Sequence, residues 1–244
     1  MKILITNDDG IQAEGINALY EALKDRHECF VIAPDSERSA CSHSLTTHQD
    51  IRYRLASVGF AVSGTPADCV KLGILHILDS KPDLVISGIN NGSNLGSDIM
   101  YSGTVSAALE GAYLVVRSIA VSLSKHNAAS EYYKRAAAFI RDNLEKLTQL
   151  DLRSDTVLNI NYPVRAPFIG VKFTSSGINL YNDSFVANES GAVRLKGLPI
   201  EHDRNVEDCD VELIKKGYVT VTPLKLDRND YAALEYLKGS GIFE

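Results

Sequence analysis

The feature that most constrains the fold lies in the first 34 residues. Three apolar residues, Ile3, Leu4 and Ile5, are followed by apolar positions at helical spacing (Ile16, Leu19, Tyr20, Leu23). A second apolar run then extends from Cys29 to Ala33 and is closed by Pro34. Strand, helix and strand within so short a span make a βαβ unit, which demands a parallel sheet and a right-handed crossover. The pattern then repeats. Thr65 caps a helix whose first turn accepts Pro66, with Asp68 at capping-box spacing, and its apolar side runs through Val70, Ile74 and Ile77. Residues 84–87 and 119–122 read as further strands around a small-residue helix at 104–113. An amphipathic helix at 128–150 carries Ala136, Ala137, Ile140, Leu144 and Leu147 on one face, and a strand at 157–161 stops at Tyr162-Pro163. Residues 51–55 and 60–63 read as a hairpin. The expectation is an α/β fold, a doubly wound and mostly parallel sheet.

After Pro167 the character changes to turn-rich sequence with short β-like pieces such as residues 219–222, closed by a helix at 231–237. We therefore expect a core over 1–166 and a smaller β-rich extension over 167–244. A chain of 244 residues can bury a core without disulfides or metals, and its four cysteines form no C-x-x-C pair. The 25 basic against 31 acidic residues give a net charge of −6, with no basic run, which argues against a nucleic-acid polymer or an anionic membrane as partner. No apolar stretch reaches the roughly 20 residues of a membrane span, and the N-terminal run is too short for a signal peptide. A cytoplasmic protein is expected.

In open parallel sheets ligands bind beyond the carboxyl ends of the strands. Three polar clusters fall there: Thr6-Asn7-Asp8-Asp9-Gly10, Pro34-Asp35-Ser36-Glu37-Arg38-Ser39, and Ser87 through Asn94. Two adjacent carboxylates repel unless a cation offsets them, and Asp8 and Asp9 with hydroxyl and amide oxygens suit magnesium or manganese rather than zinc or copper. The competing reading is that one of them only caps the next helix. Ser102-Gly103-Thr104 places hydroxyls and a glycine at a helix start, where free N–H groups favour an anion. Neither G-x-x-x-x-G-K-[ST] nor a G-x-G-x-x-G after the first strand is present, which argues against kinases and dinucleotide-dependent dehydrogenases.

Five motifs in order carry a resemblance: Asn7-Asp8-Asp9-Gly10; Ala33-Pro34-Asp35 with Arg38-Ser39; residues 64–70; Ser87-Gly88-Ile89-Asn90 with Gly92, Asn94 and Gly96; and residues 101–105 with Ala108 and Glu110-Gly111. Together they resemble the survival protein SurE family of 5′-nucleotidases. Residues 158–161 and 217–224 extend the likeness, and residues 175–208 hold no motif of it. The resemblance implies a Rossmann-like core with a C-terminal extension exchanged between subunits of a homodimer or homotetramer. It implies hydrolysis of nucleoside monophosphates, broad enough to take 3′-nucleotides and short polyphosphate, with one divalent cation, Mg²⁺ or Mn²⁺. The cation would be held by Asp8, Asp9, Ser39 and Asn90, with Asp8 and Asp9 catalytic and Asn7, His43, Asn94, Ser102, Gly103 and Thr104 toward the phosphate or substrate.

Two rivals remain on sequence grounds. A phospho-aspartyl phosphatase of the haloacid dehalogenase type would need D-x-D-G-[TV] where Asp8-Asp9-Gly10 is contiguous. A non-catalytic metal- or nucleotide-binding module would keep the acidic pair without the chemistry. His48, His76, His126 and His202 match no ligand spacing, Asp208 and Asp210 read as a solvated acidic turn, and Tyr101 is placed to stack on a base.

Overall fold

The computed structural model of the chain describes residues 1–240. In chain order the core comprises β1 (Lys2–Thr6), α1 (Glu14–Leu23), β2 (Glu28–Pro34), β3 (Tyr53–Leu55), β4 (Phe60–Val62) and α2 (Pro66–Leu72). It continues through β5 (Leu84–Asn90), α3 (Gly103–Tyr113), β6 (Arg117–Leu123), α4 (Ser130–Thr148) and β7 (Thr156–Tyr162). The extension supplies β8 (Val171–Phe173), β9 (Tyr181–Ala187), β10 (Val193–Pro199), α5 (Asp210–Lys216), β11 (Val219–Lys225) and α6 (Tyr231–Lys238).

The doubly wound sheet expected from the sequence is present. Its order is β3-β4-β2-β1-β5-β6-β7-β11-β8, and every pairing from β4 to β7 is parallel. The six parallel strands run third, second, first, fourth, fifth, sixth, so the order reverses between β1 and β5 and opens a crevice at their carboxyl ends. The near-continuous apolar strands follow from burial on both faces. Ile3 and Ile5 pack with Ile16, Leu19 and Ile140 of the α1–α4 layer, and Leu4 points the other way to Val70 and Ala107 of the α2–α3 layer.

The Thr65–Asp68 capping box forms as expected, but α2 ends at Leu72 and continues as a π-helical turn over Gly73–Ile77. The extension does not fold apart. β11 joins the main sheet antiparallel to β7, β8 adds parallel to β11, and only β9 and β10 form a separate two-stranded hairpin. The stretch without a motif, 175–208, is largely this hairpin and its approaches. Asp210 is not in a solvated turn: it is fully buried, and its carboxylate accepts the N–H groups of Gly96, Gly177 and Val211. Among the described residues no helix is long and apolar enough to cross a membrane.

Candidate active site

The loop after β1 sits at the sheet's crevice and is buried polar backbone and side chain together. Asn7 is fully buried, its Nδ2 donating to the Gly10 carbonyl at 2.9 Å while its Oδ1 has no hydrogen-bond partner among the described residues. Asp8 is 4% exposed. The loop after β2 docks on it, with the Arg38 N–H donating to the Asp8 carbonyl at 2.7 Å. From the far side comes the start of α3: Thr104 Oγ1 donates to Asp8 Oδ1 at 2.5 Å. Gly103 permits that approach, because a Cβ there would lie 2.9 Å from Asp8 Oδ2 and from Cys41 Sγ. The Ser102 hydroxyl accepts from the Val105 N–H at 3.0 Å and caps the helix.

The loop after β5 reaches the same place. The Asn91 N–H donates to Asp9 Oδ2 at 2.9 Å, and Asn91 Oδ1 accepts from the Asn127 N–H at 2.7 Å. Asn90 Nδ2 donates to the Gly92 carbonyl at 2.9 Å, which fixes its amide. Ser39 donates its hydroxyl to Glu37 Oε1 at 2.7 Å, and Glu37 shares with Asp9, Asn91 and Tyr133 the wall of a cavity of about 350 Å³. Asn94 is held inward. Its Nδ2 donates to Ser122 Oγ at 2.8 Å, its N–H to Asn161 Oδ1 at 2.9 Å, and its carbonyl accepts from Asn159 and Asn161.

Electrostatically the acidic pair is poised for a cation. Burial pushes the Asp8 carboxyl up to about 6, against the Thr104 hydroxyl, which lowers it, and Asp9 beside it, which raises it further. Asp9 is also raised, first by burial and then by Glu37, against the Asn91 N–H and His126. Among the described residues neither aspartate has a salt-bridge partner. The oxygen donors that these loops carry are carboxylates, amides and hydroxyls, and among the described residues no three His, Cys, Asp or Glu form a cluster. Such a set fits a hard divalent cation and not zinc.

The structure thus gathers Asp8, Asp9, Asn7, Asn90, Gly103 and Thr104, with Ser39 on the adjoining loop and Ser102 at the cap. His43 is turned elsewhere: its Nε2 lies 2.8 Å from Glu110 Oε2, and Glu110 is also paired with Lys71. Sequence reasoning noted Asn91, Glu37 and Glu110 in its polar clusters and motifs but gave none of them a role. For Glu110 a signal existed, a lone charge on the buried side of a helix of small residues. His126 was set aside on spacing, yet its ring packs over Gly92 in the site loop and acts on Asp9.

A family model described as survival protein SurE matches residues 3–183. The chain is 44% identical over 251 aligned positions to a protein named 5′-nucleotidase SurE from Pelotomaculum thermopropionicum, covering 98% of this chain and 94% of that one. It is 45% identical to one of the same name from Desulforudis audaxviator, covering 98% and 96%. The crystal structure of the SurE protein from Aquifex aeolicus superposes with a TM-score of 0.84 at 37% identity, covering 97% and 98% of the two chains. The chain belongs to the survival protein SurE family.

Proposed function

We propose that the chain is a phosphoric monoester hydrolase that releases phosphate from nucleoside monophosphates with one divalent cation, Mg²⁺ or Mn²⁺. The observation that carries this reading is the Asp8–Asp9 pair at the sheet's crevice, Asp8 buried and Asp9 half-buried, both raised and without a salt-bridge partner among the described residues, with Asp8 directly against a helix start. The name shared by the curated relatives supports the nucleotidase assignment. Asp8, Asp9, Ser39 and Asn90 would hold the cation, which when bound supplies Lewis-acid polarisation of phosphoryl oxygens and a more acidic water.

The chain's own groups do the rest. Asp8 and Asp9 orient the attacking water, and Asp9, the less buried of the two, takes its proton while the Asn91 N–H keeps the carboxylate in place. The new P–O bond forms on the face opposite the nucleoside oxygen, which leaves with a proton from solvent. The start of α3 at Ser102, Gly103 and Thr104 offsets charge on the equatorial oxygens through N–H groups and the helix dipole. Asn7 lies on the substrate side of this reading, whereas His43, paired with Glu110, and Asn94, held by Ser122, Asn159 and Asn161, would support the loops around it rather than touch substrate. Substrate breadth across 5′- and 3′-nucleotides, and short polyphosphate, belongs to the same proposal.

Residues 1–166 would be the catalytic core and 167–244 the assembly extension of a homodimer or homotetramer with exchanged extensions. The bare apolar side of the β9–β10 hairpin supports this, since an isolated hairpin is marginal in water. Four free cysteines suit a reducing cytoplasm.

The test is phosphate release from a panel of nucleoside monophosphates with Mg²⁺, with Mn²⁺, and after chelation. Release that needs metal and stops with chelator is expected. Absence of release from every nucleotide under both metals would leave only the binding-module reading, and a trapped phospho-enzyme would revive the phospho-aspartyl one.

A further inference from the structure

We infer that Asp98 is a positioning residue through which the C-terminal extension holds the phosphate-binding segment 94–104 in register with Asp8, an inference that rests on the function proposed above. Asp98 lies in a short 3-10 helix, Gly96–Met100, between Asn94 and the Ser102 cap. Its Oδ2 accepts two extension side chains, Asn179 Nδ2 at 2.8 Å and the Tyr181 hydroxyl at 2.6 Å. Its carbonyl accepts the Tyr101 N–H at 3.0 Å, one residue before the cap. A pull on the carboxylate is therefore passed to the start of α3 within one turn.

The grip around Asp98 is dense and comes from one part of the chain. Asn179 Nδ2 also donates to the Leu95 carbonyl at 3.1 Å, while Ser97 Oγ donates to the Asn179 carbonyl at 2.9 Å and accepts its N–H at 3.0 Å. One residue earlier, Gly96 donates its N–H to the buried Asp210 at 3.0 Å, and Asp210 also takes the Gly177 N–H at 2.7 Å. The partners at 179, 181 and 210 lie in the extension, while the core loop reaches the same segment at its later end, Ser42 donating its hydroxyl to the Met100 carbonyl at 2.7 Å and its N–H to the Tyr101 carbonyl at 3.1 Å. The far ends of the same segment are fixed by core groups, Asn94 by Asn159 and Asn161, and Thr104 by Asp8. Between those ends the segment has one side chain that takes two extension side chains at once, and that is Asp98.

A helix start that must present N–H groups to a phosphoryl oxygen tolerates little displacement, since a misplacement on the order of 1 Å can cost about 100-fold in rate. The extension would then be part of the catalytic apparatus without touching substrate. A purely architectural tie would instead cost stability or assembly and leave phosphate binding as it was.

The deciding experiment compares full-length wild type with Asp98→Ala, Asp98→Asn, Tyr181→Phe and the double variant Asp98→Ala/Tyr181→Phe. It measures kcat and KM, the inhibition constant of inorganic phosphate, thermal unfolding and oligomeric size. We expect Asp98→Ala to lower kcat/KM about 10- to 100-fold and to weaken inhibition by phosphate in step, at unchanged oligomeric size. Asp98→Asn, which retains one acceptor oxygen, recovers part of the loss. Tyr181→Phe shows a smaller loss of the same kind, and the double variant is no worse than Asp98→Ala alone, because both remove one interaction. If Asp98→Asn and Tyr181→Phe keep kcat/KM and the phosphate constant within twofold of wild type, the inference is overturned. Should Asp98→Ala fail to fold, Tyr181→Phe decides. Should wild type release no phosphate from any nucleotide, the functional reading fails first. The inference then stands if inorganic phosphate raises the unfolding temperature of wild type by more than that of Tyr181→Phe, and falls if it raises both equally.

Discussion

Thr104 and Asp8 are 96 positions apart, and the hydroxyl of one donates to the carboxylate of the other at 2.5 Å. The bond ties the end of the first strand to the start of α3, so the group that would hold a cation and the helix start that would face a phosphate share one side chain. It also bears on charge: the Thr104 hydroxyl is the strongest influence holding the Asp8 carboxyl down against burial.

Thr104→Val keeps the shape and removes that donor. The Asp8 carboxyl should then rise beyond about 6. Activity should fall about 10- to 100-fold near pH 6, as for other groups that orient a ligand, and by less near pH 8, where the carboxylate is ionised in both proteins. A pH–rate profile whose acidic limb does not move to higher pH would show that the hydroxyl does not tune Asp8.

Asp8→Asn should separate function from stability. In metal-free wild type the folded-state carboxyl, at about 6 against an ordinary 3.8, binds a proton that the unfolded chain has released. Stability from this group is therefore full below about pH 4 and lost as pH rises through about 6, a difference on the order of 3 kcal/mol at neutral pH. An uncharged Asn removes that loss. Metal-free Asp8→Asn should melt at or above wild type at pH 7, should no longer be stabilised by Mg²⁺ or Mn²⁺, and should lose at least about 100-fold in kcat/KM. Turnover near wild type in the purified variant would mean that the site is misassigned.

What the sequence made legible follows from where information is local. The βαβ rhythm of Ile3 to Ala33, the Thr65–Asp68 box and the acidic pair are written in neighbouring residues, so the sheet and its crevice could be read. Glu110, Asn91 and Asn161 act on partners 67, 82 and 67 positions away, and no short window contains both ends of such a bond. The same holds for Asp210, which looks solvated beside Asp208 and is buried only because Gly96 and Gly177 arrive from elsewhere. His43 shows the converse. Its closeness to Ser39 in the chain suggested a part in the site, whereas its ring is committed to Glu110.

Glu110→Gln tests that commitment. Glu110 is 3% exposed and receives both His43 and Lys71; burial works against its charge, and the two partners outweigh it, so its carboxyl sits below the usual range. Stability from this group is present at neutral pH and lost as pH falls through the lowered value. Removing the charge should cost about 1–3 kcal/mol at pH 7, since both partners are partly exposed and can be rehydrated, or roughly 3–10 °C in Tm for a chain of this size. The loop over 38–46 should become more sensitive to protease. An unchanged Tm and digestion pattern would show that the ion pair contributes nothing to holding the loop.

Assembly should depend on one side of the hairpin. Cross-strand pairs alternate between its faces, and the pairs Phe185 with Leu195 and Ala187 with Val193 fall on the same face. Phe185 is 70% exposed and Leu195 55%, while the opposite face is mixed, carrying Ser184 with Lys196, Val186 with Arg194 and Asn182 with Leu198. An apolar side on a two-stranded ribbon has no sheet of its own to cover it, and a second copy of the chain offers the same side in return. Phe185→Glu would place a charge in that contact and should shift the protein to a smaller species in sedimentation and light scattering. Ser184→Glu, one residue away on the opposite face beside Lys196, should leave the size unchanged. Because neither position touches the core, both variants should keep the wild-type unfolding behaviour of the main sheet. Wild type sedimenting as a monomer, or equal behaviour of the two variants, would remove the hairpin as the assembly surface.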